Sequence, residues 1–320
     1  VNDHLVYVDD GPYGELHLSL ECRRAGTATA HGVAPDACAA ELSTWLEARA
    51  GRPWGEVLVT TSRVHSGDLE PVVEVLVTRR PQVQRLALGA LVFPDFDRGR
   101  DVPEETDRDG GAWRLSVPGL DRLLNALPSL EGLVVQATDV DLLHAAAPLV
   151  APNLRRLVLR VEALNPEALV VLGRGVYPAL SHLELWLGRI AYSWGGTADD
   201  LAPLLESATL PALRHLRLVS DLDDALVDRL AGSPLLSGLV SLDLSHGVLG
   251  DHTAARLRKH FSRFAHLDRL TLAGNALSPE GAAGVRALGP NVFVGSQRHA
   301  ELGSVPFDPP RVSLFDDFGG

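Results

Sequence analysis

The triplet Leu-x-x-Leu-x-Leu recurs along the chain at Leu154/Leu157/Leu159, Leu180/Leu183/Leu185, Leu213/Leu216/Leu218, Leu239/Leu242/Leu244 and Leu267/Leu270/Leu272. Successive copies begin 26, 33, 26 and 28 residues apart, a regularity that marks a structural repeat. Looser copies stand upstream at Val83/Leu86/Leu88 and Leu130/Leu133/Val135, with a weaker one at Trp54/Val57/Val59, and Val292 and Val294 offer a closing strand. The last two leucines of each triplet, two residues apart, project from the same face of a short strand into the core. The first fills the layer beneath the turn that leads into it. After each triplet comes a turn and then helical periodicity, as in Pro166 to Leu172, Ala225 to Leu230, Thr253 to Phe264 and Pro279 to Leu288. No single strand-turn-helix unit can bury both of its apolar faces, so the units must stack. The pattern predicts an α/β solenoid, with a curved parallel sheet on its concave face and helices on its convex face.

A solenoid needs polar ends, and residues 1–50 read as such a cap. Val6 to Val8 and Glu15 to Glu21 alternate around Asp10-Gly11-Pro12, which predicts a hairpin, and Asp36 to Arg49 reads as an amphipathic helix. The solenoid is expected over 51–295. Residues 296–320, rich in Pro, Gly, Asp and Phe without periodicity, are expected to form an extension or tail in which Phe307, Phe315 and Phe318 anchor a cap strap, the alternative being a short partner-binding motif. Two repeats are lengthened after their strands. One insertion, 92–114, is an acidic run read as a solvated loop without EF-hand spacing; the other carries Tyr192 and Trp194.

These residues also carry a resemblance. The stretch from Leu267 through Asn275 and Gly281 to Leu288 resembles bacterial leucine-rich-repeat proteins with ribonuclease-inhibitor-like spacing. Leu183-Glu-Leu-Trp-Leu-Gly188, the segment Asp200 to Leu205, and Leu242-Asp-Leu-Ser245 with Leu249-Gly-Asp251 look like a group of uncharacterised bacterial repeat proteins. The resemblance implies a protein-binding scaffold, such as a sensor or adaptor subunit of a bacterial multi-protein system, and leaves the partner open. In that family an asparagine follows the strand and satisfies the turn. Only Asn275 fits here, with Glu162, Gly188, Asp221 and Gly247 at the equivalent places.

Composition narrows the function further. A net charge of −12 repels a phosphate backbone, so no nucleic-acid partner is expected. The N-terminus does not read as a signal peptide and no segment reads as a membrane span, which predicts a cytoplasmic protein without a membrane partner. Cys22 and Cys38 are too few for a disulfide framework and read as reduced thiols. A single lysine and no methionine suggest a GC-rich bacterial genome. No nucleophile elbow, phosphate loop, dinucleotide fingerprint or zinc-protease motif is present, so neither catalysis nor a cofactor is expected. The alternative reading is a (β/α)-barrel-like enzyme of unknown reaction, although barrel strands do not repeat a leucine triplet.

With the leucines pointing inward, the residues around them point out of the sheet. Adjacent strands then present Arg156, Val158 and Arg160; His182, Glu184 and Trp186; His215, Arg217 and Val219; and Ser241, Asp243 and Ser245. The expected partner-binding set is Arg156, Arg160, His182, Glu184, Trp186, Tyr192, Trp194, His215, Arg217 and Asp243, with Trp186 as an exposed anchor, since Trp and Arg dominate interface hot spots. His182 and His215 share one column near Glu184. A third metal ligand is missing there, so no metal is assigned.

Overall fold

The computed structural model describes residues 5–8, 14–19, 21–23, 31–33, 35–61, 67–90, 115–142, 148–188 and 196–297. They fall into two units, one ending at Leu154 and the next beginning at Arg155. The insertion 92–114 and the residues after Gln297 lie outside the described residues, as do Tyr192 and Trp194.

The first unit opens with the hairpin that the alternation predicts: β1 (Leu5–Val8) pairs antiparallel with β2 (Gly14–Ser19). A short pair, β3 (Glu21–Arg23) and β4 (His31–Val33), precedes α1 (Pro35–Ala48). Helix α1 buries Cys38, Ala39, Leu42 and Leu46, spaced as one helical face. There follow β5 (Trp54–Thr61), β6 (Gly67–Asp68), α2 (Glu70–Arg79), β7 (Val83–Ala90), β8 (Leu115–Val117), α3 (Leu120–Ala126), β9 (Gly132–Ala137) and β10 (Asp139–Val140). The main sheet of this unit runs β1-β2-β5-β7-β9, parallel from β2 onward. A second small parallel sheet, β10-β8-β6, has no counterpart in the leucine pattern, because its strands are too short to carry a period.

In the second unit strand and helix alternate without exception: β11 (Arg156–Val161), α4 (Pro166–Arg174), β12 (His182–Gly188), α5 (Ala202–Leu205), β13 (His215–Ser220), α6 (Ala225–Gly232), β14 (Ser241–Asp243), α7 (Asp251–Phe264), β15 (Arg269–Thr271), α8 (Pro279–Arg286) and β16 (Val292–Phe293). The sheet is parallel in sequence order from β11 to β16. Its ends do not meet, so the unit is an open sheet rather than a closed barrel. The triplet leucines are buried in every copy, each contributing about 1.5–3 kcal/mol of apolar burial.

The same turn leads into each of these strands. The N–H of the first leucine donates to the carbonyl three residues back: Leu130 to Leu127, Leu154 to Ala151, Leu180 to Tyr177, Leu213 to Leu210, Leu239 to Leu236 and Leu267 to Phe264, with Val292 to Gly289 closing the series. Pro128, Pro152, Pro178, Pro211 and Pro290 fill the second position of five of these turns, where a fixed φ suits the geometry. Helix starts follow a second rule. Asn165 and Ser278 cap α4 and α8 by accepting from the N–H groups of Glu167 and Gly281, each with proline directly after the cap.

Asn275 satisfies backbone groups of two successive turns. Fully buried, it donates to the carbonyls of Leu244 and Leu272 at 2.8 and 3.0 Å and accepts from the N–H of Leu249 at 3.1 Å. Elsewhere the turns are satisfied differently. Gly188 has φ +108° and lies so close to the carbonyl of Glu162 that a Cβ would sit 2.4 Å from it, which only glycine tolerates.

Candidate functional site

The parallel register lines up the outward residues of the second unit in rows across the strands. One row is Arg156, His182, His215, Ser241 and Arg269; the next is Val158, Glu184, Arg217, Asp243, Thr271 and Phe293; the third is Arg160, Trp186 and Val219. The structure therefore brings together eight of the ten expected site residues on one sheet face. Tyr192 and Trp194 fall outside the described residues.

Exposure divides this face, and it corrects the expectation for its first two strands. Trp186 is 5% exposed, Arg160 6%, Glu184 7% and Arg156 8%, so none of them is available as a surface anchor. The physical reason is that β11 is buried on both faces, as the apolar Val158 in its central outward position allows. On β13 the pattern changes to strict alternation, with His215, Arg217 and Val219 half-buried and Leu216, Leu218 and Ser220 buried. Strands β14 and β15 follow the same rule.

The buried part is organised around Glu184. Its carboxylate accepts from Arg160 Nε at 2.7 Å and Nη2 at 3.3 Å and from Trp186 Nε1 at 2.8 Å. Arg217 Nη1 stands 3.7 Å from the same carboxylate, and Arg217 Nε 3.5 Å from Asp243. Burial alone would push the Glu184 carboxyl up, but the two arginines and the hydrogen bonds from Arg160 and Trp186 outweigh it and hold the carboxyl below the usual range. Glu184 thus stays ionised as the fixed centre of a charge network. Removing one partner of such a buried pair costs about 3–5 kcal/mol.

The two histidines stack, with ring centroids 4.1 Å apart and planes 17° from parallel. The Nδ1 of His182 stands 2.9 Å from Ser181 Oγ, and the Nδ1 of His215 stands 2.8 Å from Ser241 Oγ. Metal ligation uses a lone pair in the ring plane, and near-parallel planes do not converge on one ion. Among the described residues, no group of three His, Cys, Asp or Glu side chains gathers into a metal site. Burial, and next the charge of Arg214, keep His215 below the usual histidine range, so its ring is neutral at pH 7.

The accessible part of the face extends beyond the expected set. Arg269 is exposed, and its guanidinium lies 4.4 Å from the ring centroid of Phe293, itself 43% exposed. Arg269 and Thr271 flank Leu270 as His215 and Arg217 flank Leu216, so the same offset rule finds them in the sequence. Cys38 is buried and its thiol is pushed up to about 12, first by burial and then by Glu41, which makes it inert near neutral pH. No described helix is long and apolar enough to cross a membrane.

No protein-family model matches the chain, and no curated protein matches it. Among solved structures it is similar to the crystal structure of a structural-genomics target from Bacteroides fragilis, with a TM-score of 0.62 and 20% identity over 78% of this chain and 67% of that one. At that identity the similarity speaks to the α/β fold.

Proposed function

We propose that the chain is a leucine-rich-repeat solenoid that recognises a protein partner, without catalysis, through the outward face of β13 to β15. One observation carries this reading. On those strands the inward positions are buried leucines, joined by the buried Ser220 on β13, while the outward residues His215, Arg217, Ser241, Asp243, Arg269 and Thr271 form, with Val219, a partly accessible and mainly polar surface over a fixed base. Directional polar groups beside the half-exposed Phe293 suit a protein surface, because arginines and aromatic rings contribute most to interface affinity. The buried charges around Glu184 neutralise one another and hold the rows in register, which is a supporting role rather than a catalytic one. The test is capture of a partner from the native cell by the parent and by a variant carrying Arg269→Glu and Ser241→Arg. The reading expects at least about tenfold weaker binding of the same partner with an unchanged melting temperature. Equal affinity removes the interface from this face.

A further inference from the structure

Helix α7 inverts the sign of the chain. Between His252 and His266 stand Arg256, Arg258, Lys259 and Arg263 with three histidines and no carboxylate, in a protein whose net charge is −12. Its apolar face is committed, since Thr253, Ala254, Leu257 and Phe264 are buried. The cations therefore lie on the polar face.

Ion pairs between neighbouring helices account for only part of them. Arg79 of α2 pairs with Glu47 of α1, Arg122 of α3 with Glu70 and Glu74 of α2, Arg229 of α6 with Asp199 and Glu206, and Arg256 of α7 with Asp228 of α6. In each pair the arginine belongs to the later element and the carboxylate to the earlier one. His260 stands 2.9 Å from the same Asp228. Arg263 turns its Nε to the carbonyl of Ala231 at 3.0 Å. Arg258 and Lys259 are exposed, and neither meets a carboxylate among the described residues. Arg258 leans over α8 toward Gly284, and the exposed Arg286 of α8 also meets no carboxylate there.

We infer that the outer surface of α7 is a second docking site, taking a short acidic segment of a partner protein. Charge complementarity selects the class of occupant. The Debye length at physiological ionic strength is about 8 Å, so a short segment seated on α7 meets mainly the local positive field. A nucleic-acid duplex or an anionic membrane extends much further and meets the acidic remainder of the chain. Lys259 and Arg263, four residues apart on the exposed side of the helix, are separated by about 6 Å along its axis, which matches carboxylates at every fourth position of a facing helix.

The experiment is fluorescence anisotropy with the full chain and a fluorescein-labelled alanine-based helical peptide bearing glutamate at every fourth position. Its lysine counterpart and a short DNA duplex are the comparison ligands. The parent should prefer the glutamate peptide to both. Arg258→Glu with Lys259→Glu should weaken that binding by at least about tenfold with an unchanged melting temperature, the loss being expected for an electrostatic contact. Arg174→Glu, at an exposed position of α4, should leave it unchanged, as should the Arg269→Glu and Ser241→Arg variant of the sheet face. A parent without preference for glutamate, a stronger preference for the duplex, an unaffected α7 variant or an equal loss in the α4 variant each overturns the proposal.

Discussion

Strands β11 and β12 and strands β13 to β15 are built on one leucine pattern and used in two ways. Their inward faces are alike: Leu157, Leu183, Leu216, Leu242 and Leu270 are all buried. Their outward faces are not. On β11 and β12 the outward arginines, glutamate and tryptophan are nearly as buried as the leucines, whereas on β13 to β15 the outward residues reach solvent. Residue type alone does not explain the difference, because arginine occurs on both sides of the boundary. Arg160 is locked in a bidentate pair with Glu184; Arg217, one strand further on, holds Glu184 at longer range and is shared with Asp243. A charged outward residue thus marks a binding surface only where its partner leaves it accessible.

The contrast is open to direct attack. The largest effects belong to the buried half. Trp186→Ala should destabilise by about 3–5 kcal/mol in denaturant unfolding, the cost of truncating a large buried aromatic side chain, whereas Val219→Ala, its cross-strand neighbour, should cost about 1 kcal/mol. Near-equal losses would erase the boundary. Glu184→Ala should cost about 3–5 kcal/mol by removing the buried carboxylate that Arg160 and Trp186 hydrogen-bond. Because the folded protein holds this carboxyl below its usual range, the stabilisation is present above the ordinary glutamate value and is lost as pH falls through the lower folded value. Acid unfolding of Glu184→Gln, followed by circular dichroism, should lack that part of the pH dependence.

The inward face should not respect the boundary. Leu183→Ala and Leu216→Ala should each cost about 2–5 kcal/mol, since both leave a cavity in the same layer. The smallest effect is expected from Arg269→Glu, whose melting temperature should stay near that of the parent because an exposed substitution changes stability by about 0.5 kcal/mol or less. A cooperative loss there would place Arg269 in the support of the sheet.

Much of this was legible in the leucines. Their spacing predicts each strand of the second unit, its register and the rows of outward residues, and the copies at Trp54, Val83 and Leu130 mark strands of the first unit. The proline-bearing turn recurs at a fixed offset before the first leucine, but it lies outside the triplet and adds nothing to the leucine period. Burial of the second face was less accessible. Val134 and Val158, apolar in outward positions of β9 and β11, are its local signal, since a strand buried on both sides needs no polar alternation. Glu184 and Trp186 carry no such signal. The charge that pairs with Glu184 comes from Arg160, which lies 24 residues earlier in the chain. The short sheet of β6, β8 and β10 was illegible for a related reason, as strands of two or three residues are held by pairing rather than by pattern.

Thiol labelling tests the central claim, an accessible recognition face beside a closed one, most directly. In a background with Cys22→Ser, and with Cys38 inert, Val219→Cys and Val158→Cys each place one thiol on the outward face, on β13 and β11 respectively. Under native conditions the β13 thiol should react with a maleimide far faster than the β11 thiol. The β11 thiol should be protected until the protein unfolds. Equal, rapid labelling at both positions would contradict the account by opening the whole face, and protection of both would leave β13 with no surface to offer a partner.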